Sequence, residues 1–378
     1  MLDSLIIFFT VLYKYVIINT QNSLEIAYYL ILLVIIALSV TSIYGKIIKR
    51  QIPDLGNLPV TAIPAALFIL AVTVLSKDAN YLLPFLIAVT FSYDRREEFI
   101  KRFFTSSVMC FTGQLVLYWL GLAGNNATIR IAADGTVAIR NSIGFGSPNE
   151  GLCFFLPIFL SGYLIIKDKK SKIVFYSAIL AALAYIYYMT RSRTGALLIL
   201  LFIVISFFDL DKLGKHKFII NICKIMYFML SAFSYILAMR FGRPSDNAIN
   251  KIMTGRPYIW SLYMSHGIKL IGTGRKIAVP DSQILPQFGT SFDNYFLYTL
   301  HCYGLIVFVC IGILYFIMIQ KMEKNGQFNM ILAVMAYLLY GCTEANTLIA
   351  STNFTLIYLY MSFINPDCFA MVRPHKTK

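Results

Sequence analysis

Apolar residues along this chain fall into long blocks rather than alternating stripes. A helix needs about 20 apolar residues to cross a bilayer core of about 30 Å, and blocks of that order recur from end to end. About twelve membrane spans are predicted from them. The first six are Leu5–Asn19, Leu24–Ile43, Leu58–Leu75, Tyr81–Ser92, Phe103–Ala123 and Gly151–Ile166. The second half gives Ile173–Met189, Ala196–Phe208, Phe218–Met239, Tyr295–Ile319, Met330–Gly341 and Leu348–Ile364. Lys14 interrupts the first block, where its charge either snorkels to the interface or faces protein. That block lacks a basic leader and a small-residue cleavage site, so it reads as a retained span and not as a signal peptide.

The polar joints between blocks carry the direction. Every second joint is basic: Lys46, Lys49 and Arg50; Arg95, Arg96, Lys101 and Arg102; Lys167, Lys169, Lys170 and Lys172; Lys212, Lys215 and Lys217; Lys321 and Lys324. The tail adds Arg373, Lys376 and Lys378. Basic loops stay in the cytoplasm, so both termini are expected there. The expected architecture is an all-α integral membrane protein with residues 1–378 as one polytopic unit. Two large extracytoplasmic loops, Gly124–Asn149 and Arg240–Asn294, stand out among short ones. Loops of that length are usually functional or disordered, and their glycines, arginines and aromatics favour function.

Composition agrees with the pattern. The chain is 58% hydrophobic and 13% charged, against about 25% charged in a soluble domain. A net charge of +15 would suit nucleic acid, but the basic residues sit in joints where topology already accounts for them. No nucleic-acid partner is expected. Most of the seven cysteines lie inside apolar blocks without CxxC spacing, and the four histidines form no HExxH pattern. Neither a disulfide framework nor a metal site is indicated. The chain has no GxxxxGK[ST] loop, so no built-in ATPase is expected, and no cofactor is implied.

The unusual chemistry gathers on the outer side. Alternating apolar residues flank Asp134-Gly135 in the first long loop, which predicts a β-hairpin. The glycine turn Asn141-Ser-Ile-Gly-Phe-Gly-Ser-Pro-Asn149 follows, with Asn149 expected to cap the next helix and Glu150 in its first turn. Arg140 either belongs to a well-ordered turn or lines a polar site. Arg191 and Arg193, in Thr190-Arg-Ser-Arg-Thr-Gly195, are interface anchors or anion ligands. They run against the scarcity of basic residues on that side, and the planar guanidinium fork suits phosphate oxygens. Arg256 and Trp260 lie in Thr254-Gly-Arg-Pro-Tyr-Ile-Trp260, where an amphipathic interfacial helix is predicted from Pro257 to about Ile271. Trp260 is an interfacial anchor or a sugar-stacking platform. Asp293 is a helix cap or a general base; in the second case Asn294 is the cap. Glu344, near the outer end of another block, pairs with an arginine or is a second candidate base.

These motifs, in this order, resemble bacterial polysaccharide polymerases of the Wzy type, a group related to the O-antigen ligases. Arg140-Asn-Ser-Ile-Gly-Phe-Gly-Ser-Pro-Asn149, Ser192-Arg-Thr-Gly195, Thr254-Gly-Arg-Pro-Tyr-Ile-Trp260, Gly272-Thr-Gly274 and Asp293-Asn-Tyr295 carry the resemblance. It covers the region from Arg140 to Gly304 and the span pattern. The resemblance implies an all-helical, GT-C-like membrane glycosyltransferase. Such an enzyme joins repeat units carried on undecaprenyl diphosphate at the outer membrane face, with a flippase and a chain-length regulator as partners. By the same carry-over, Arg193 and Arg256 would engage the lipid diphosphate and Asp293 would occupy the position of the ligases' catalytic His. Arg140, Asn149, Arg191, Trp260, Asn294 and Glu344 are the candidate substrate-binding residues. Ser147 departs from the pattern, standing where many relatives carry His or Asn, and Asp293 in place of His favours polymerase over ligase. Two competing readings are a ligase transferring finished glycan to a wall or lipid acceptor, and a non-enzymatic flippase. The flippase reading predicts internal repeats and charged spans, and the chain shows no clear repeat.

Overall fold

The computed structural model describes residues 2–19, 25–48, 69, 72–74, 81–91, 96–131, 137–208, 216–243, 248–253, 255–273, 292–365 and 368–369. Helix accounts for 78% of the described residues. The first six helices are α1 (Leu2–Asn19), α2 (Glu25–Ile48), α3 (Leu82–Phe91), α4 (Arg96–Trp119), α5 (Glu150–Ile165) and α6 (Lys169–Thr190). Then come α7 (Arg193–Ile205), α8 (Lys217–Phe241), α9 (Ala248–Ile252) and α10 (Arg256–Met264). The last three are α11 (Tyr295–Lys324), α12 (Phe328–Gly341) and α13 (Thr355–Ile364), with a 3-10 turn at Ala345–Leu348. Strands β1 (Thr128–Ile131) and β2 (Val137–Arg140) pair antiparallel, Thr128 opposite Arg140. Their connecting turn, with Asp134 and Gly135, lies outside the described residues, as does nearly all of the block at 58–75.

Among the described residues, four helical segments are long and apolar enough to cross a membrane: Tyr29–Ile48, Lys169–Thr190, Lys217–Phe241 and Tyr295–Lys324. Five shorter ones, including α5, α7 and α12, are also apolar. Helix α11 is central, with 56% of its most apolar window buried, against 22–28% for the other three. Those three turn apolar residues outward; Leu33, Tyr44, Val174 and Phe233 are all exposed. A broad exposed apolar surface of this kind marks membrane contact. Inside, an aromatic cluster around Tyr227, Tyr295, Phe308 and Tyr315 joins α8 to α11.

Several basic residues are paired with carboxylates. Lys46, in the last turn of α2, donates to the Thr90 carbonyl at 2.6 Å and lies 3.9 Å from Asp3. Arg102 lies 3.3 Å from the same carboxylate, and Lys224 2.7 Å from Glu323. Helix α4 starts at Arg96, earlier than the predicted Phe103, with Glu97 and Glu98 in its first turn. Carboxylates there complement the helix dipole.

Two further elements differ from expectation. The helix predicted from Pro257 to about Ile271 ends at Met264, and it is buried against α8 rather than spread along an interface. The chain beyond it instead patches α11. That helix breaks at Gly304, which has φ 88° and ψ 175°. Residues 269–272 fill the break: Gly272 N–H donates to Tyr303 O at 3.0 Å, Leu305 N–H to Lys269 O at 2.9 Å, and Ile306 N–H to Leu270 O at 3.2 Å. A kink frees backbone groups that cannot stay unpaired away from water. Only glycine fits at 272, because a Cβ there would stand 2.1 Å from the Cys302 carbonyl oxygen. The second difference is α13, which starts at Thr355 and not Leu348. Asn353 accepts from Thr355 N–H at 3.1 Å and donates to Thr347 O at 2.8 Å. Short polar side chains that bond the local backbone in this way compete with helix.

Candidate functional site

The end of α6 opposite its basic first turn opens into a polar cleft. The cleft holds about 530 Å³, part of it open to the surroundings. Arg140, Asn149, Arg191, Ser192, Arg193, Arg256, Tyr340 and Glu344 are among the residues that line it. Four arginines from three separate chain segments therefore share one concavity.

Arg140 is held on two sides. At the end of β2, its Nε donates to the Thr190 carbonyl at 2.9 Å and its Nη2 to Asn149 Oδ1 at 2.7 Å. Ser192 Oγ donates to the same oxygen at 3.1 Å. Asn149 stands at the N-cap position of α5, yet its side chain makes no capping bond; Arg140 and Ser192 have taken it. The neighbouring Glu150 accepts from Gly146 N–H at 3.0 Å, which pins the glycine turn to the helix it precedes. Ser142 N–H donates to Asn125 Oδ1 at 3.0 Å and ties the base of the hairpin to that turn.

Arg191 and Arg193 flank the joint between α6 and α7. Arg191 adopts a left-handed conformation, φ 51°, as it ends α6. Its guanidinium lies 5.0 Å from the Tyr188 ring. Arg193 is the first residue of α7. Its side chain is exposed and, among the described residues, has no hydrogen-bond or ion-pair partner. A helix N-terminus adds partial positive charge beside it. Gly195 lets α7 approach closely, because a Cβ there would meet Leu152 Cβ at 2.9 Å.

The opposite wall is built on α10 and α11. Gly255, with φ 76°, caps α10, and Arg256 begins it. Arg256 Nη2 lies 3.9 Å from Asp293 Oδ2, with each side chain about one-fifth exposed, at 18% and 21%. Asn294 is the cap of α11, accepting from Leu297 N–H at 2.9 Å. Its amide donates to Ser234 Oγ at 3.0 Å and to Cys342 O at 2.9 Å. Asn294 is thus buried and knits three helices, while the preceding Asp293 keeps its carboxylate toward Arg256.

Glu344 lies in the turn between α12 and the 3-10 segment and is 5% exposed. Its Oε1 accepts from Asn346 Nδ2 at 2.9 Å. Burial pushes its carboxyl up to about 8; the Asp293 carboxylate adds to this and the Arg256 guanidinium opposes it.

Trp260 is not part of the cleft. It is 1% exposed and packs in a cluster with Tyr263, Met264 and Phe292. No ring face is left for an interface or a sugar. The structure therefore brings together Arg140, Asn149, Arg191, Arg193, Arg256 and Glu344, sets Asp293 beside Arg256, and leaves Trp260 and Asn294 in the packing.

Sequence reasoning missed Ser192, Tyr340 and Asn250. Tyr340 sits inside an apolar block and gives no signal there. Asn250 Nδ2 donates to the carbonyls of Phe241 and Arg243 at 2.7 and 2.8 Å, and its Oδ1 accepts from Tyr258 N–H at 3.3 Å. It fixes the start of α10, and hence Arg256, through bonds that no local pattern announces.

Fold and site define a helical protein with membrane-length apolar helices and an arginine-lined cleft at one end. No family model, curated protein or solved structure matches the chain.

Proposed function

We propose that this chain is a Wzy-type polysaccharide polymerase, an integral-membrane glycosyltransferase of the GT-C class. It joins oligosaccharide repeat units carried on undecaprenyl diphosphate at the outer face of the cytoplasmic membrane and releases undecaprenyl diphosphate. In this reading the chain crosses the membrane about twelve times, both termini are cytoplasmic, and the cleft opens outward. A flippase would deliver the units, and a chain-length regulator would act on the product.

The observation that carries the proposal is the convergence of Arg140, Arg191, Arg193 and Arg256 on one cleft with Glu344 in its wall and Asp293 beside Arg256. Glycosyl transfer from a lipid diphosphate needs both kinds of group. The acceptor hydroxyl attacks the anomeric carbon, and the Asp293 carboxylate takes its proton. The bond from that carbon to the diphosphate breaks, and the diphosphate leaves with the electron pair. Fixed guanidinium groups stabilise the charge that develops there, worth about 3–4 kcal/mol per donor in comparable sites. Guanidinium suits this task because its fork bonds two oxygens at once.

Purified protein in nanodiscs, supplied with lipid-linked repeat units alone, tests the reading. A ladder of chains with undecaprenyl diphosphate released in step with each bond is expected. A ligase would give one transfer to a different acceptor and no ladder. A flippase would form no new glycosidic bond. Either result would overturn the proposal.

A further inference from the structure

Among the described residues that line the arginine cleft, Glu344 alone carries a carboxyl group. An acid in such company is expected to pair with a guanidinium, and Glu344 does not. Its Oε1 accepts from the Asn346 side-chain amide at 2.9 Å. Its Oε2 has no hydrogen-bond or ion-pair partner among the described residues. The residue is 5% exposed. An ionised carboxylate so buried needs a paired charge, whereas a neutral acid needs only hydrogen bonds.

The surroundings favour the neutral acid. Glu150 and Cys153 of α5, Arg256 of α10, Asp293 ahead of α11 and Tyr340 of α12 lie within electrostatic reach of Glu344. Burial is the dominant influence; the carboxylates of Asp293 and Glu150 act with it, and the Arg256 guanidinium acts against it. The carboxyl is thereby pushed up to about 8 and holds its proton at neutral pH. A protonated carboxyl has an O–H donor that a carboxylate lacks. With Oε1 held as an acceptor by Asn346, Oε2 is the oxygen left to donate. The arginines draw an oxyanion into the cleft, and a phosphate-type oxyanion offers acceptors on every side.

We infer that Glu344 is a neutral hydrogen-bond donor of the cleft, its Oε2–H bonding an oxygen of the phosphate-type anion that the arginines hold, so that tight anion binding requires the proton. The inference rests on the anion-binding part of the polymerase reading and on no other part of it. It also separates the two acids near Arg256. Glu344, already protonated, cannot take a proton from a hydroxyl, which leaves that task to Asp293. Above about pH 8 Glu344 ionises; the donor is lost and a negative charge stands against the anion.

Inorganic pyrophosphate titrated into the purified full chain in phosphatidylcholine nanodiscs, at pH 7 and at pH 9, is the test. Glu344→Gln is the comparison. Its carbonyl oxygen still accepts from Asn346 and its amide still donates to the anion, but it does not titrate. Pyrophosphate and the other groups of the cleft change charge equally for both proteins, so the difference isolates Glu344. Wild type and Glu344→Gln are expected to bind alike at pH 7. At pH 9 the wild type is expected to bind about tenfold more weakly than the variant, because only about one molecule in ten still holds the proton. Calorimetry at pH 9 in buffers of different ionisation heat should show the wild type taking up a proton on binding that the variant does not. Parallel affinities of the two proteins across the range would overturn the inference. So would tighter binding by Glu344→Gln at pH 7, the sign of a carboxylate already ionised there, and so would no binding by the wild type. Proton-linked binding in a protein that forms no ladder of chains would uphold Glu344 and sink the polymerase reading alone; a ladder with parallel affinities would do the reverse.

Discussion

Arg256 and Asp293 face each other at 3.9 Å from the first turn of α10 and the residue ahead of the α11 cap, joining an inner helix of the second long loop to the loop's end. The separation is longer than a bidentate pair, both side chains keep some exposure, and Arg256 lines the cleft. An arginine so placed retains donors for a second anion. Arg256→Ala and Asp293→Asn should each lower the polymerisation rate by roughly 10²–10³-fold at unchanged protein level. Arg256→Lys should stay impaired, because lysine replaces the fork with a point charge. Ladder formation by equal amounts of each variant checks this, and full activity in Arg256→Lys would remove the bidentate contact from the account.

Glu344 gives a dependence on pH. Burial raises its carboxyl from 4.5 to about 8, so over that window the folded protein holds a proton that the unfolded chain has released. Stability falls with rising pH wherever the folded state binds more protons. The contribution is therefore complete below pH 4.5, declines through the window and is lost above about 8. Thermal unfolding in detergent should show a melting temperature that drops across this range in the wild type. The drop should be shallower in Glu344→Gln, which should be the more stable form at pH 8. An identical slope in both would place the titration elsewhere.

Asn149 is the shared acceptor of Arg140 and Ser192. Asn149→Ala leaves both donors without it and should cost about 1–3 kcal/mol. Asn149→Asp keeps the acceptor but sets a negative charge beside the arginines. That variant should fold as well as the wild type and bind inorganic pyrophosphate more weakly. Thermal unfolding and pyrophosphate titration separate the two effects.

What could be read in the sequence follows what each signal encodes. The block at Ile173–Met189 was legible because bilayer thickness imposes a length, and α6 spans Lys169–Thr190. Arg193 was legible because it breaks a charge pattern, and the paired strands because alternation flanks a turn. The break in α11 was not legible. Its run is apolar on both sides of Gly304, and what fills the gap is the stretch 269–272 inside the second loop. Asn149 reads as a cap because caps are local, whereas its real partners are Arg140 and Ser192. Trp260 reads alike as a platform or as packing, since only tertiary structure decides which face is covered.

The patched break gives its own prediction. Gly272→Ala would drive a methyl into the Cys302 carbonyl, and the crossing segment would have to lift from α11. Three backbone bonds would weaken together. The loss should exceed about 2 kcal/mol, beyond that of a typical substitution, and appear as reduced folded protein in membranes. Gly267→Ala, where a Cβ meets nothing within 4 Å, is the comparison. It bears only the strain of its φ of 81° and should lose less. Equal losses would mean that the crossing segment does not hold α11.

Polymer length in cells lacking the gene measures most directly whether this cleft lengthens a glycan on a lipid carrier. Complementation with wild type should restore long chains. Complementation with Arg193→Ala, present at equal level, should leave single lipid-linked repeats to accumulate. Long chains of undiminished length in the deletion, or in cells carrying only Arg193→Ala, would contradict the account.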